Sequence, residues 1–354
     1  MKIWKIVGLL ILIGMGMSYC KPQPEPALPG QAGKGTASAV AGKPNIVTGR
    51  IGTAEDLAVT QEEINKAKSA LGSSFVGIIP CTMMTEYHYG VAASAKTALE
   101  SYGFQVQLVD PETKPERQIS ALENFSAAGA KAIVVCVLDP KVLQSALEEA
   151  ASQGIFMVQV AGRESVVNGV GISIDDADLG RAAGEYAAKL VNTEMKGKAE
   201  VAILDYPDLP NCVIRANNIE QALKELAPQA AILGRYLGAW QENGLKSMEN
   251  ALQAHPEINV VVSINDAGAY GAMQALENAK KNPARTIIVG IDAEKKALEL
   301  IKQGGMYRGT VYTQPTETGW LAAEAVVKLL AGSPVPKEIK VPVRVITKED
   351  LVGK

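Results

Sequence analysis

From residue 75 onward the chain alternates between short apolar runs and amphipathic stretches. The runs are FVGIIP (75–80), FQVQLVD (104–110), AIVVCVL (132–138), IFMVQV (155–160) and GVGISI (169–174). They continue as EVAILD (200–205), AAILGRYL (230–237), INVVVSI (258–264), TIIVGI (286–291) and RGTVY (308–312). Between most of them lie segments such as GVAASAKTALESY and PKVLQSALEEAASQG, whose apolar positions recur at helical spacing. Strands alternating with helices in this way predict βαβ units and a parallel sheet. The runs are continuous rather than alternating, as expected of strands covered by helices on both faces. Ten runs between residues 75 and 312 suit two doubly wound α/β lobes better than one sheet.

The pattern changes before residue 75. Residues 54–71 carry a helical pattern with Thr53 as a candidate N-cap. Residues 21 to about 53 are rich in Pro, Gly and Ala with few large apolar groups, and read as a tether. The first twenty residues, MKIWKIVGLLILIGMGMSYC, pair a basic start at Lys2 and Lys5 with an apolar core too short to span a bilayer. They read as an export signal. Cys20 stands directly between that core and the polar tether, the arrangement of a bacterial lipoprotein signal in which the Cys is acylated. Tyr19 replaces the small residue usual at the preceding position. The expected location is the periplasm or cell envelope, anchored to a membrane through Cys20.

Composition narrows the classes. Of 354 residues, 47% are hydrophobic, so the chain can build cores. The net charge of −3 and the lack of a basic cluster argue against nucleic acid as a partner. No Gly-rich phosphate loop, nucleophile elbow or H-E-x-x-H is present, and His88 and His255 are the only histidines. Neither an enzyme, a cofactor nor a metal is therefore expected. Besides Cys20 the chain has Cys81, Cys136 and Cys212, an odd set that makes no complete disulfide framework. Cys81 and Cys136 end the first and third runs, which a flavodoxin-like order makes neighbours. Either a disulfide at the cleft floor or two buried thiols fits.

The polar residues fall at the ends of the runs. After FVGIIP comes CTMMTEYHYG, after AILD comes YPDLPNCVIR, and after AILGRYL comes GAWQENG. Asn265-Asp266 follow VVVSI, Asp292 follows IIVGI, and TQP follows GTVY. Ligands of open parallel sheets bind beyond the carboxyl ends of the strands, so these groups line one rim. Asp266 reads as a helix cap and the others as ligand-facing. Asn, Gln, Asp and Arg satisfy hydroxyls, which donate and accept at once. Trp240, Tyr87 and His88 offer flat apolar faces. The set suits a small polyhydroxylated ring.

Residues 75–330 resemble the type I periplasmic sugar-binding proteins of the ribose- and galactose-binding kind. The resemblance is carried by AGAKAIVV (128–135), DDADLGRAAGEYAAK (175–189), LQAHPEINVVVSINDAGAYGAMQAL (252–276), IIVGIDA (287–293) and GTVYTQP (309–315). It implies two mostly parallel α/β lobes joined by a three-segment hinge, with the ligand between them. Residues 73–174 with about 315–337 would form the N-terminal lobe. Residues 175–314 with about 338–354 would form the C-terminal lobe, the chain crossing near 174–175, 313–315 and 336–341.

The resemblance also implies site residues. Asn265 and Asp292 match polar sugar ligands, Gln314 the hinge glutamine, and Arg215 the arginine of the helix after the second lobe's first strand. Asn211 lies one turn before that arginine, Trp240 holds the stacking position, and Tyr87 and His88 take the place of a stacking Phe. The first lobe departs: Cys136 stands where Asn is usual, and Ala161-Gly162-Arg163 replaces an Asp-Arg pair, leaving Arg163 as a shifted substitute. The implied function is capture of a small sugar-like solute for an ABC permease, by a monomer and without an enzymatic step. The alternatives are a sensory protein presenting its ligand to a membrane receptor or sensor kinase, or a binder of a nucleoside, polyol or signal molecule.

Overall fold

The computed structural model describes residues 46–161 and 168–352. In chain order the first lobe lays down β1 (Val47–Gly52), α1 (Gln61–Leu71), β2 (Val76–Ile79), α2 (Glu86–Ser101) and β3 (Val106–Leu108). It continues with α3 (Pro115–Ala127), β4 (Ala132–Val135), α4 (Pro140–Ser152), β5 (Phe156–Val160) and β6 (Gly169–Ser173). The second lobe follows with α5 (Asp176–Glu194), β7 (Glu200–Asp205), α6 (Pro210–Leu226), β8 (Ala231–Leu237), α7 (Gln241–Ala254) and β9 (Val260–Ser263). Then come α8 (Asp266–Asn278), β10 (Ile287–Asp292), α9 (Lys295–Gln303) and β11 (Tyr307–Tyr312). Helix α10 (Pro315–Ala331) and β12 (Val335–Lys340) return to the first lobe, and β13 (Arg344–Thr347) with α11 (Lys348–Val352) close the second.

The first sheet runs β1-β12-β6-β5-β4-β2-β3 and is parallel throughout. The second runs β13-β11-β10-β9-β7-β8, parallel except for its edge strand β13. All ten apolar runs of the sequence became strands. The central ones, such as Ala132–Val135 and Val260–Ser263, are buried at every position. Helices cover both faces, so no residue of these strands meets water and alternation has no physical basis. Each fully buried Val or Ile contributes about 1.5–3 kcal/mol of transfer free energy.

Three strands lay outside those runs. Residues 47–52, assigned by composition to the tether, form the edge strand β1 in parallel register with β12. Tether residues 21–45, the export segment and Cys20 lie outside the described residues. The helix expected over 54–71 is split. Thr53 caps a short 3-10 turn, and α1 starts only after Thr60, whose side chain accepts from the Glu63 N–H while Glu63 reaches back to its backbone. Strands β12 and β13 place the third crossing at residues 341–343, so the first lobe extends to Lys340 rather than ending near 337. The other crossings fall at 174–175 and 313–314, each joining an element of one sheet to a helix of the other lobe.

Candidate ligand-binding cleft

Helix α6 starts with Pro210 at its first position and projects Asn211 and Arg215 from one face, four residues apart. It lies hard against α5, where Gly180 makes room: a Cβ there would sit 2.2 Å from the Arg215 carbonyl oxygen. That approach brings Arg215 to Asp176 at the start of α5. Its Nε donates to Asp176 Oδ1 at 2.7 Å and its Nη1 donates to the Ile264 carbonyl at 3.0 Å, with Asp292 Oδ1 3.7 Å away. Burial by itself would lower the Arg215 pKa, but Asp292 and Asp176 outweigh it and hold the group above its ordinary value.

Asn265 caps α8. Its Oδ1 accepts from the Gly268 N–H at 3.0 Å and its Nδ2 donates to the Ala239 carbonyl at 2.7 Å. The second bond ties α8 to the loop carrying Trp240. Gly268 is required here, since a Cβ would fall 1.5 Å from the Gly238 carbonyl oxygen. Trp240 is 53% exposed and packs its edge on Tyr206, with ring centroids 4.7 Å apart. A large indole left half in water next to a cavity is a surface waiting for a partner.

Asp292 ends β10 with φ at +122° and Ala293 follows at +57°, backbone that L-residues rarely adopt. Such strain costs about 1–3 kcal/mol per residue and persists only where the surroundings impose it. Asp266 is part of what imposes it. This fully buried carboxyl group accepts from Tyr307 Oη at 2.7 Å, Thr310 Oγ1 at 2.8 Å and the Glu294 N–H at 2.9 Å. Thr310 Oγ1 in turn accepts from the Ala293 N–H at 3.1 Å, and Thr313 donates to the Asp292 carbonyl at 3.2 Å. Asp266 is thus the anchor of the kink and not the cap that the sequence suggests; Asn265 is the cap. Burial raises the Asp292 carboxyl to about 7, against the pull of Arg215. Burial and the neighbouring Asp292 carry Asp266 well above the carboxylate range.

The first lobe contributes the opening turn of α2. Thr85 caps it, accepting from the His88 N–H at 3.2 Å, with His88 Nδ1 2.8 Å from the same oxygen. Tyr87 and His88 meet edge to face at 5.2 Å. Burial lowers the His88 pKa, which keeps the ring neutral, and raises the Tyr87 phenol. Behind them Cys81 and Cys136 form a disulfide between the ends of β2 and β4, so of the two readings left open the bridge is the one found. One ligand atom from each of Cys81, His88 and Cys136 lies within 4.8 Å of the others, but with the sulfurs joined the group holds no thiolate. Cys212 is free and buried.

These two halves enclose a cavity of about 520 Å³. Of the nine residues expected at the site, Tyr87, His88, Asn211, Arg215, Trp240, Asn265 and Asp292 line it. Gln314 is not among its lining residues. It sits buried in left-handed backbone and donates from Nε2 to the Pro342 carbonyl, which fastens one hinge segment to another. Arg163 lies outside the described residues. The structure adds lining residues that sequence reading missed, chiefly Asp176, Glu86 and Glu294. Asp176 had a signal: it opens the helix immediately after the first crossing, where a side chain faces the gap between lobes.

A family model described as "Periplasmic binding protein domain" matches residues 76–334. The chain belongs to the periplasmic binding protein family. Membership places it outside the cytoplasmic membrane. The ribose import binding protein of Bacillus subtilis is 28% identical over 279 residues, covering 77% of this chain and 87% of that protein. The D-apiose import binding protein of Actinobacillus succinogenes is 27% identical over 72% of this chain and 81% of its own length. Among solved structures, a periplasmic ribose ABC transporter protein from Conexibacter woesei superposes with a TM-score of 0.69 at 20% identity, covering 78% of this chain and 92% of that one. The last comparison speaks for the fold. Among the described residues no helix is long and apolar enough to cross a membrane.

Proposed function

We propose that this periplasmic binding protein captures a small sugar or sugar-like solute between its lobes and delivers it to an ABC importer. The observation that carries the reading is the convergence of Asn211, Arg215, Trp240, Asn265 and Asp292, scattered over 82 positions, on one cavity at a three-stranded hinge. The guanidinium, carboxylates and amides match hydroxyls, and the exposed indole matches the C–H face of a ring. The import binding proteins for ribose and D-apiose among the relatives support the solute class. The protein acts by binding and not by catalysis. Ligand bridging the lobes biases an open–closed equilibrium, because only the closed state offers contacts from both sides. The permease reads the closed state. Acylation of Cys20 and a monomeric state belong to the same proposal.

A thermal-shift screen over pentoses, hexoses, polyols and nucleosides tests it, since a tight ligand raises the melting temperature by mass action. The cognate solute should shift wild type, and Trp240→Ala and Asp292→Ala should each lose the shift. Shifts kept in both variants would refute the site.

A further inference from the structure

Asp292 lines the cavity from backbone that does not hold itself in place. Its φ of +122° and the +57° of Ala293 lie where residues with a Cβ rarely settle. Left to itself, such a turn returns to negative φ and takes the carboxyl with it.

Both peptide groups after Asp292 are held from inside the second lobe. In the first, the Asp292 carbonyl accepts from Thr313 Oγ1 at 3.2 Å and the Ala293 N–H donates to Thr310 Oγ1 at 3.1 Å. In the second, the Glu294 N–H donates to Asp266 Oδ2 at 2.9 Å. Thr310 Oγ1 also donates to Asp266 Oδ1 at 2.8 Å, so the two holders form one unit. Asp266 and Thr310 are fully buried, and neither is among the residues lining the cavity. Tyr307 Oη donates to the same Asp266 Oδ1 at 2.7 Å, bonding the carboxyl but not the turn.

We infer that Asp266 and Thr310 are positioning residues for ligand binding: together they hold the Asp292–Ala293 turn in its strained form and so aim the Asp292 carboxyl into the cleft. This rests on Asp292 being a contact of a sugar-class solute. Affinity is then set in part by two side chains that never meet the solute. A hydroxyl hydrogen-bonded to a charged group is worth roughly tenfold to a hundredfold in affinity, and a misaimed carboxyl forfeits it.

Three variants separate aiming from folding. Thr310→Val removes both bonds of the hydroxyl, Thr310→Ser restores them, and Tyr307→Phe removes one bond to Asp266 and none to the turn. Affinity is read by titration calorimetry against D-ribose, L-arabinose, D-galactose and myo-inositol, and amide exchange at Ala293 by NMR without sugar. For the sugar that wild type binds most tightly, Thr310→Val should bind about tenfold weaker or more, with faster exchange at Ala293. Thr310→Ser should return affinity close to wild type. Tyr307→Phe should keep wild-type affinity and Ala293 exchange although its melting temperature falls. Asp266→Asn serves if Thr310→Val folds poorly: one amide oxygen cannot accept from the Glu294 N–H and both hydroxyls, so binding should weaken likewise. Unchanged affinity in both Thr310→Val and Asp266→Asn, or an equal loss in Tyr307→Phe, would overturn the inference and leave the sugar site standing. Failure of every sugar to bind wild type, or full affinity in Asp292→Ala, would overturn the reading of the site and the inference with it.

Discussion

Arg215 and Asp176 meet at 2.7 Å across the packed pair α5 and α6, with side chains only 15% and 7% exposed. Asp292, partly exposed to the cleft, stands 3.7 Å from the same guanidinium, so one cation faces two carboxyl groups. Arg215→Ala removes the cation from this largely buried ion pair and should cost about 3–5 kcal/mol of stability in addition to ligand binding. Arg215→Lys keeps the charge but not the fork that reaches Asp176 and the Ile264 carbonyl together, so it should lie in between. Urea unfolding midpoints check the order. If the double variant Arg215→Ala, Asp176→Asn is as unstable as the sum of the two single changes, the pair is not coupled and the account fails.

Trp240 poses the opposite case. Its half-exposed ring contributes an edge contact to Tyr206 and little else to the fold. Trp240→Ala should change the melting temperature of the unliganded protein by no more than a degree or two. Binding should weaken by roughly tenfold or more, since an aromatic face against a ring is worth about 0.5–1.5 kcal/mol beyond its buried area. Trp240→Phe should recover much of the loss. A large drop in unliganded stability with affinity unchanged would mark the indole as a packing residue.

The alternation of apolar runs made the lobes legible because buried parallel strands write themselves as unbroken Val and Ile. Strand β1 was not legible. VTGRIG has two glycines and an Arg, follows a Pro- and Gly-rich stretch, and becomes a strand only because β12, almost 290 residues later, offers it an edge. Asn265 and Asp292 were readable as cavity-lining residues since polar groups at strand ends are conspicuous. The roles of Asp266 and Gln314 were not, because each is set by partners distant in the chain: Tyr307 and Thr310 for one, Pro342 for the other. The same holds for Asp176, whose importance appears only when Gly180 lets α6 bring Arg215 to it.

The Cys81–Cys136 bridge closes a loop of 55 residues. By chain entropy that is worth roughly 4 kcal/mol, and Cys136→Ala should lower the melting temperature by several degrees under non-reducing conditions. Cys212→Ala should not approach this. Thiol labelling of denatured wild type should rise by two groups when reductant is added. An unchanged thiol count would show that the bridge does not form.

Asp292 gives the cleft a pH dependence whose sign is fixed. Its carboxyl is raised from 3.8 to about 7, mainly by burial, with Glu294 and Asp176 adding to the rise and Arg215 opposing it. Below 3.8 the group is protonated in both the folded and unfolded chain. Between 3.8 and about 7 the unfolded chain has released the proton while the folded one keeps it. Unfolding then releases a proton, and this group makes stability fall as pH rises through that window. Ligand acts the other way. Hydroxyls donating to Asp292 favour the carboxylate, so affinity should climb between about pH 6 and 8 and binding should release a proton. Asp292→Asn removes both slopes: its melting temperature should lose this component of the decline, and its residual affinity should be flat. Calorimetry in two buffers of different ionisation heat counts the proton directly. Proton uptake on binding, or a slope unchanged in Asp292→Asn, would show that another group sets the pH response.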